Sequence, residues 1–285
     1  MGVSFPLVLL GTVLLAWSVG RIVVPFGVTF LRHHTVVATN YAGDVVPTGY
    51  GLVLLFAYAA VYAFIAPFFL LDLVGHDGAD LYWTVGTTSM WIVLLGWLDD
   101  TLGDHTAKGF RGHIAVLAKN GVFTTGLLKA LGGGVAAFAA ARVTSSSVWE
   151  WAIDGLLIAL STNWLNLLDL RPGRAIKFYL LGAVSLFLVA WPEPFVFLFT
   201  PLMLLAAATI REDLGGRVML GDSGANLLGM QLGIFSALTL PVTVCGAVVF
   251  LFAAGHIYAE RYSLSDLINR ISWLKKLDSL GRAKL

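Results

Sequence analysis

Charge is what this sequence has least of: Lys, Arg, Asp and Glu supply 12% of its 285 residues, against about 25% in soluble domains. With 58% hydrophobic residues and a mean hydropathy of +0.84, a water-soluble fold would leave too much apolar surface exposed, so ordinary cytosolic and secreted enzymes are excluded. A single cysteine, Cys245, rules out an internal disulfide and gives no reason to expect redox chemistry. A net charge of +1 provides no bulk attraction for nucleic acid. There is no internal repeat, no low-complexity tract and no polar stretch long enough to be a soluble domain.

What is present in quantity is apolar sequence in lengths that suit a bilayer, which needs about 20 such residues per spanning helix. Runs bounded by charges and turns fall at roughly 4–24, 50–72, 82–98, 122–142, 149–165, 175–191, 194–210, 224–240 and 242–259. The expected architecture is an all-α polytopic membrane protein of about nine transmembrane helices, eight to ten allowing for a hairpin or broken element across 175–210. No Lys or Arg precedes the first run, which is therefore read as a helix rather than a cleaved signal.

Basic residues set the orientation. With the N-terminus outside, the segments 25–49, 99–121, 166–174, 211–223 and the tail beyond His256 are cytoplasmic, and they hold most of the Lys and Arg, from Arg32 through Lys108, Arg171 and Arg217 to Lys276 and Lys284. The opposite loops are acidic, with Asp72, Asp77, Asp80, Glu150 and Glu193. The expected location is the inner (plasma) membrane. Two segments follow: a transmembrane body over 1–262 and an amphipathic tail over 263–285. In the tail, Leu264, Leu267, Ile268, Ile271, Leu274 and Leu277 recur at helical spacing among Arg270, Lys275 and Lys276. That pattern suits a helix packed on the cytoplasmic face or lying on anionic lipid, and Ser263 with Asp266 could cap its start.

Three polar clusters fall on the cytoplasmic side. Gly96-Trp97-Leu98-Asp99-Asp100, followed by Gly103, Asp104 and Lys108, ends the third run. Adjacent carboxylates repel unless a cation, a shared proton or a Lys relieves them, although such a pair can also simply end a helix in water. Asn163, Asn166 and Asp169 are spaced by three, in a slanting row on one helix face; such a row serves either as polar glue between helices or as a contact for a polar ligand. Gly221-Asp222-Ser223-Gly224-Ala225-Asn226 precedes the eighth run. Either Asp222 or Ser223 could be only an N-cap, but the helix N-terminus there also faces an arriving phosphate. Because Mg²⁺ is usually held by one or two carboxylates together with substrate phosphates, the three clusters together point to magnesium-dependent chemistry on a phosphorylated substrate, with Lys119 and Lys129 as phosphate partners.

In order along the chain, these motifs resemble the polyprenyl-phosphate N-acetylhexosamine-1-phosphate transferases (glycosyltransferase family 4), relatives of phospho-N-acetylmuramoyl-pentapeptide transferase. The similarity runs over roughly 40–230. Pro47-Thr48-Gly49-Tyr50-Gly51 looks like the family's first cytoplasmic loop, Gly96 to Asp100 like its aspartate pair, Asn163 to Asp169 like its Asn-x-x-Asn-x-x-Asp segment, and Gly221 to Gly229 like its Gly-Asp-x-Gly-Ser-Leu-x-Leu-Gly. The resemblance implies transfer of a sugar-1-phosphate from a UDP-N-acetylhexosamine to undecaprenyl or another polyprenyl phosphate, releasing UMP, for cell-envelope polysaccharide or peptidoglycan assembly. It implies Mg²⁺ (or Mn²⁺) held by Asp222 and catalytic roles for Asp99, Asp100 and Asp169. It further implies substrate contacts from Asn163, Asn166, Lys119, Lys129 and Ser223, and a homodimer by analogy.

The chain departs from the family pattern in three places. Leu170-Arg171-Pro172-Gly173-Arg174 follows Asp169 where the family has Gly and then another Asp-Gly. Ala42-Gly43-Asp44 replaces a basic residue upstream of Pro47. The histidine-rich loop of the pentapeptide transferase is missing, with His256 and Tyr258 a remnant at most. The last of these disfavours a muramoyl-pentapeptide donor. The departure after Asp169 leaves open a silent paralogue acting as a scaffold; a transporter or flippase, with Asp and Asn residues lining a path across the bilayer, is the further alternative.

Overall fold

The computed structural model describes residues 5–71, 78–103 and 109–282; Asp72, Asp77, Asp104, Lys108 and Lys284 lie outside them. The chain is overwhelmingly helical. In order its elements are α1 (Phe5–His33), strands β1 (Val37–Thr39) and β2 (Val45–Pro47), α2 (Gly51–Leu70), α3 (Gly78–Leu102), α4 (Gly109–Asn120) and α5 (Thr125–Ala141). They continue with α6 (Val148–Leu168), α7 (Arg174–Ala190), α8 (Val196–Leu214), α9 (Gly221–Thr239), α10 (Val242–Arg261), α11 (Leu264–Arg270) and α12 (Ser272–Ser279).

Each of the nine apolar runs carries one long helix, and α7 and α8 are separate helices on either side of the Trp191–Phe195 connection. Length and apolarity sufficient to cross a bilayer belong to α1, α2, α3 and α10, and to a fifth span if α4 and α5, bent by 117° at Gly121–Thr124, count as one broken element. The others fall short for a visible reason. Helices α5 and α7 have 17 residues each, while α6 carries Glu150, Asp154, Asn163 and Asn166, and α9 opens on Gly-Asp-Ser-Gly.

Helix α9 is the hub. It packs against α3, α6, α7 and α2, and its residues Ser223 to Phe235 are buried without interruption. Such a helix can be surrounded on all sides only if its surface is small. A Cβ at Gly233 would sit 2.7 Å from Ile158 Cα, and one at Gly229 2.5 Å from Ser161 O, so α6 lies directly against the α9 backbone in the small-residue manner of membrane bundles. The same close approach gathers three elements at the α9 N-terminus. Gly96 of α3 faces the Ser223 backbone, where a Cβ would come 2.5 Å from the amide nitrogen, and Gly51 at the start of α2 abuts Gly224.

The expected all-helical fold is interrupted by an antiparallel hairpin pairing Val37 with Pro47 and Thr39 with Val45. Its turn is built by Asn40, whose Oδ1 accepts from the Ala42 and Asp44 amides at 2.9 Å each, and by Gly43 at φ +92°. The chain preceding α9 then runs alongside: the Met219 amide donates to Pro47 O (2.8 Å), and the Gly51 amide to Leu220 O (3.2 Å). The first loop thereby holds the Gly221–Ser223 turn in place. Helix α4 falls inside the cytoplasmic segment 99–121, where its modest apolar content gives no span signal; its His113 ring bonds the Thr124 hydroxyl (2.8 Å) that also caps α5.

The tail forms two helices rather than one, broken at Ile271. Ser263 Oγ accepts from the Asp266 amide at 3.2 Å, the cap expected from the sequence.

Candidate functional site

At one end of the bundle, the last turn of α3 meets the first turns of α5 and α9. Asp99 Oδ1 accepts a 2.6 Å hydrogen bond from Thr125 Oγ1, and its Oδ2 lies 2.6 Å from Lys129 Nζ. Lys129 also pairs with Asp222 Oδ2, so one ammonium lies between two carboxylates from different helices. All three side chains are largely buried, with exposures of 16–25%. At that burial the lysine offsets a repulsion that water could not screen.

Asp100 points the other way and performs a different task. Its carboxylate accepts from the Asp222 amide (2.8 Å), the Ser223 amide (3.1 Å) and Ser223 Oγ (2.9 Å). Leu220 at the N-cap position of α9 supplies no side-chain bond, so Asp100 caps α9 from a neighbouring helix and satisfies amides that would otherwise lack partners. Gly221 makes this approach feasible: it adopts φ +68°, and a Cβ there would lie 2.6 Å from Asp100 Oδ2. Ser223 is fully buried within this cap.

Asp169 forms the adjoining corner as the residue closing α6. Burial, reinforced by the nearby carboxylates of Asp213, Asp222 and Asp100, holds its carboxyl well above the usual range, against the opposing Gly221 amide. Asp213, beyond the apolar part of α8, is 2% exposed and accepts from the Gly173 amide at 2.7 Å. Burial pushes its carboxyl up to about 6. Asp169 and Asp213 line a cavity of about 40 Å³ together with Asn40, Tyr41, Arg171 and Pro172. There Arg171 lies over the Tyr41 ring at 4.7 Å, and Asn40 Nδ2 is buried without a partner among the described residues.

Asp99, Asp100, Lys129, Asp222 and Ser223 thus form one connected group, with Asp169 beside it. The structure does not draw in every residue singled out from the sequence. Asn163 is exposed and Asn166 only partly buried, because a spacing of three drifts about 60° around a helix at each step. Lys119 is exposed at the end of α4 and forms no ion pair with this cluster among the described residues. Thr125 and Asp213 were missed. Thr125 left a faint signal, as one of two hydroxyl residues opening an apolar run; Asp213 was masked by Arg211 and Glu212, which look like an ordinary polar helix end.

Among the described residues, no three His, Cys, Asp or Glu side chains converge to cage a metal. The donor set is two carboxylates, Asp99 and Asp222, sharing an ammonium. That set fits a divalent ion that arrives with substrate phosphates and needs only one or two protein ligands; it does not fit an ion held by protein alone. At the other end of α6, an open cavity of about 410 Å³ is lined by Thr144, Ser145, Glu150 and Asp154. Its two acids are already engaged, Asp154 by Thr144 Oγ1 at 2.6 Å and Glu150 by the Ser146 amide at 2.8 Å. Compared with known proteins, the chain matches no protein-family model and has no significant match among curated proteins.

Proposed function

We propose that this protein is a membrane-embedded transferase moving a sugar-1-phosphate from a UDP-N-acetylhexosamine to polyprenyl phosphate, with release of UMP. The observation that carries this reading is Lys129 held between Asp99 and Asp222, directly beside an α9 N-terminus whose backbone is fixed by Asp100. Phosphoryl transfer requires positioning and charge stabilisation more than covalent help from the protein, and this group supplies both.

A phosphate oxygen of the lipid attacks the β-phosphorus of the donor. The bond from that phosphorus to the bridging oxygen breaks, and the oxygen leaves on UMP. Lys129 meets the negative charge of the reacting phosphates, and Asp99, tethered by Thr125, orients the ammonium. The first-turn amides of α9 are already taken by Asp169, Asp100 and the Leu220 carbonyl, so what α9 offers the anion is the positive end of its dipole. Asp222 is the residue to hold Mg²⁺ (or Mn²⁺), with Asp99 adjacent; when bound, the ion neutralises charge on the diphosphate and its leaving oxygen. Asp169 and the small cavity beside it border the donor end.

This reading goes with nine spans and a cytoplasmic site, supported by the distribution of Lys and Arg. In a Cys245→Ser background, Trp149→Cys should react with an impermeant maleimide from outside intact cells and Lys275→Cys only after permeabilisation. The reverse pattern would overturn the orientation. Activity is tested with membranes containing the protein, Mg²⁺, polyprenyl phosphate and a panel of UDP-sugars. UMP release dependent on both the ion and the lipid is expected; no turnover with any donor would discard the enzyme reading in favour of a scaffold.

A further inference from the structure

Outside this cluster, the densest set of charged contacts joins the tail to the connection after Asp169. Arg174 and Asp278, 104 positions apart, form a two-pronged pair, Nε to Oδ1 at 2.8 Å and Nη2 to Oδ2 at 3.1 Å. Their side chains are 7% and 9% exposed. Arg174 Nη1 also donates to Ser265 Oγ at 3.1 Å, so α11 and α12 are bound through one guanidinium. Arg282 adds a second bond to Asp278 (3.1 Å) and reaches Pro172 O through Nε and Nη2 at 3.3 and 3.2 Å. Lys177 Nζ donates to the carbonyls of Leu277, Asp278 and Leu280 at 2.9, 2.6 and 3.2 Å, a cation on the carbonyl end of α12.

We infer that the C-terminal tail is a strap that holds the Leu170–Gly173 connection in place, making Arg174, Lys177, Asp278 and Arg282 positioning residues for the Asp169 side of the site. The connection is gripped from two sides. Asp213 takes the Gly173 amide from within the bundle, and Arg282 takes the Pro172 carbonyl from the tail. Gly173 itself has φ +75°, and a Cβ there would collide with Leu214; Gly281 of the tail faces the same leucine. Asp169, Arg171 and Pro172 line one cavity, so a shift of the connection moves the cavity wall.

A tail serving only as a surface anchor would need its exposed face, where Trp273, Leu277 and Leu280 are open and Lys275 and Lys276 lie among them. It would not need a desolvated, doubly bonded ion pair. Such pairs cost desolvation energy that only good geometry recovers, and here the geometry is two-pronged. Burial and the two guanidiniums act oppositely on Asp278, and the guanidiniums prevail, holding its carboxyl below the usual range.

The inference rests on the proposed transferase reading for what the site does, but its first test does not. Hydrogen exchange on the full chain in detergent, without substrate, compares wild type with Asp278→Asn, Asp278→Glu and the exposed-face control Lys276→Gln. In Asp278→Asn the amides of Leu170, Arg171 and Gly173 should exchange about tenfold or more faster while α3 and α9 keep their protection. Glu should restore most of the difference, and Lys276→Gln should behave as wild type. Unchanged exchange in Asp278→Asn, or protection lost evenly across the bundle, would overturn the strap. In the UMP-release assay, Asp278→Asn should raise KM for the UDP-sugar about tenfold with kcat within about threefold. If kcat and KM both stay put while the connection loosens, the positioning role is overturned and the strap is only structural. If no UDP-sugar is turned over, the exchange result alone decides whether the strap exists.

Discussion

Replacing Asp222 by Ala should take UMP release below detection, a loss of at least about 10³-fold, and Lys129→Met should lose about as much. The two variants remove opposite charges from the same contact, and their side effects should therefore differ in sign. Lys129 binds both Asp99 and Asp222. Methionine keeps the length and the apolar stem but leaves two partly buried carboxylates facing each other with no cation. Breaking a fully buried pair costs about 3–5 kcal/mol; at 16–25% exposure the penalty should be smaller, about 1–3 kcal/mol.

The vacated space then becomes attractive to a divalent ion, so Mg²⁺ should raise the melting temperature of Lys129→Met more than that of wild type. Asp222→Ala removes one carboxylate instead, lets Lys129 pair with Asp99 alone, and should show no such Mg²⁺ effect. Thermal melts with and without Mg²⁺, beside the UMP assay, check both halves. An active Lys129→Met enzyme would remove the residue from the mechanism, and equal Mg²⁺ effects in the two variants would show that the carboxylates do not act as a pair.

What the sequence makes legible is local, and what it conceals is the meeting of distant segments. Each apolar run folds as a helix because burial of a long hydrophobic stretch is decided within that stretch. Asp99, Asp100 and Asp222 can be grouped from parity alone, since helix direction alternates and all three lie at ends of the same parity. Lys129 is legible in the sequence as a phosphate partner, but its place between two aspartates depends on α5 lying beside α3, which no spacing encodes. The row Asn163, Asn166 and Asp169 is legible, but the surroundings of each member are not. A spacing of three looks like one face but spirals, and the row starts exposed and ends beyond the helix. Short elements were the hardest to see. The hairpin at Val37–Pro47 has three residues per strand and draws its support from the Met219 segment, and the α4 bend depends on His113 and Thr124. The tail's helical spacing was legible, but its docking was not, because Arg174 and Asp278 look like unrelated surface charges until the chain is folded.

Asp100→Ala should produce the second largest loss, about 10²- to 10³-fold in UMP release, by a different route from Asp222→Ala. Asp100 has less free acceptor capacity for a substrate or ion, because three donors from Asp222 and Ser223 already occupy its oxygens. Its contribution is to hold the first turn of α9 so that the Asp222 side chain projects toward Lys129. An ordinary side-chain cap is worth about 0.5–2 kcal/mol, and bonds to a charged acceptor about 1.5–3 kcal/mol. Removing all three acceptor bonds should therefore destabilise the protein by about 2–4 kcal/mol, with amides left buried and unpaired.

Asp100→Asn separates capping from charge. One amide oxygen can still accept, but its NH₂ group must face either the Asp222 or the Ser223 amide, so asparagine should recover part of the melting temperature and less of the activity. Gly221→Ala attacks the same contact from the other side, since its Cβ would press on the Asp100 carboxylate in a positive-φ turn; it should reproduce the Asp100→Ala losses while leaving every acid in place. If Gly221→Ala melted and turned over like wild type, the cap would not be what orients Asp222, and the loss in Asp100→Ala would have to come from direct contact between Asp100 and substrate.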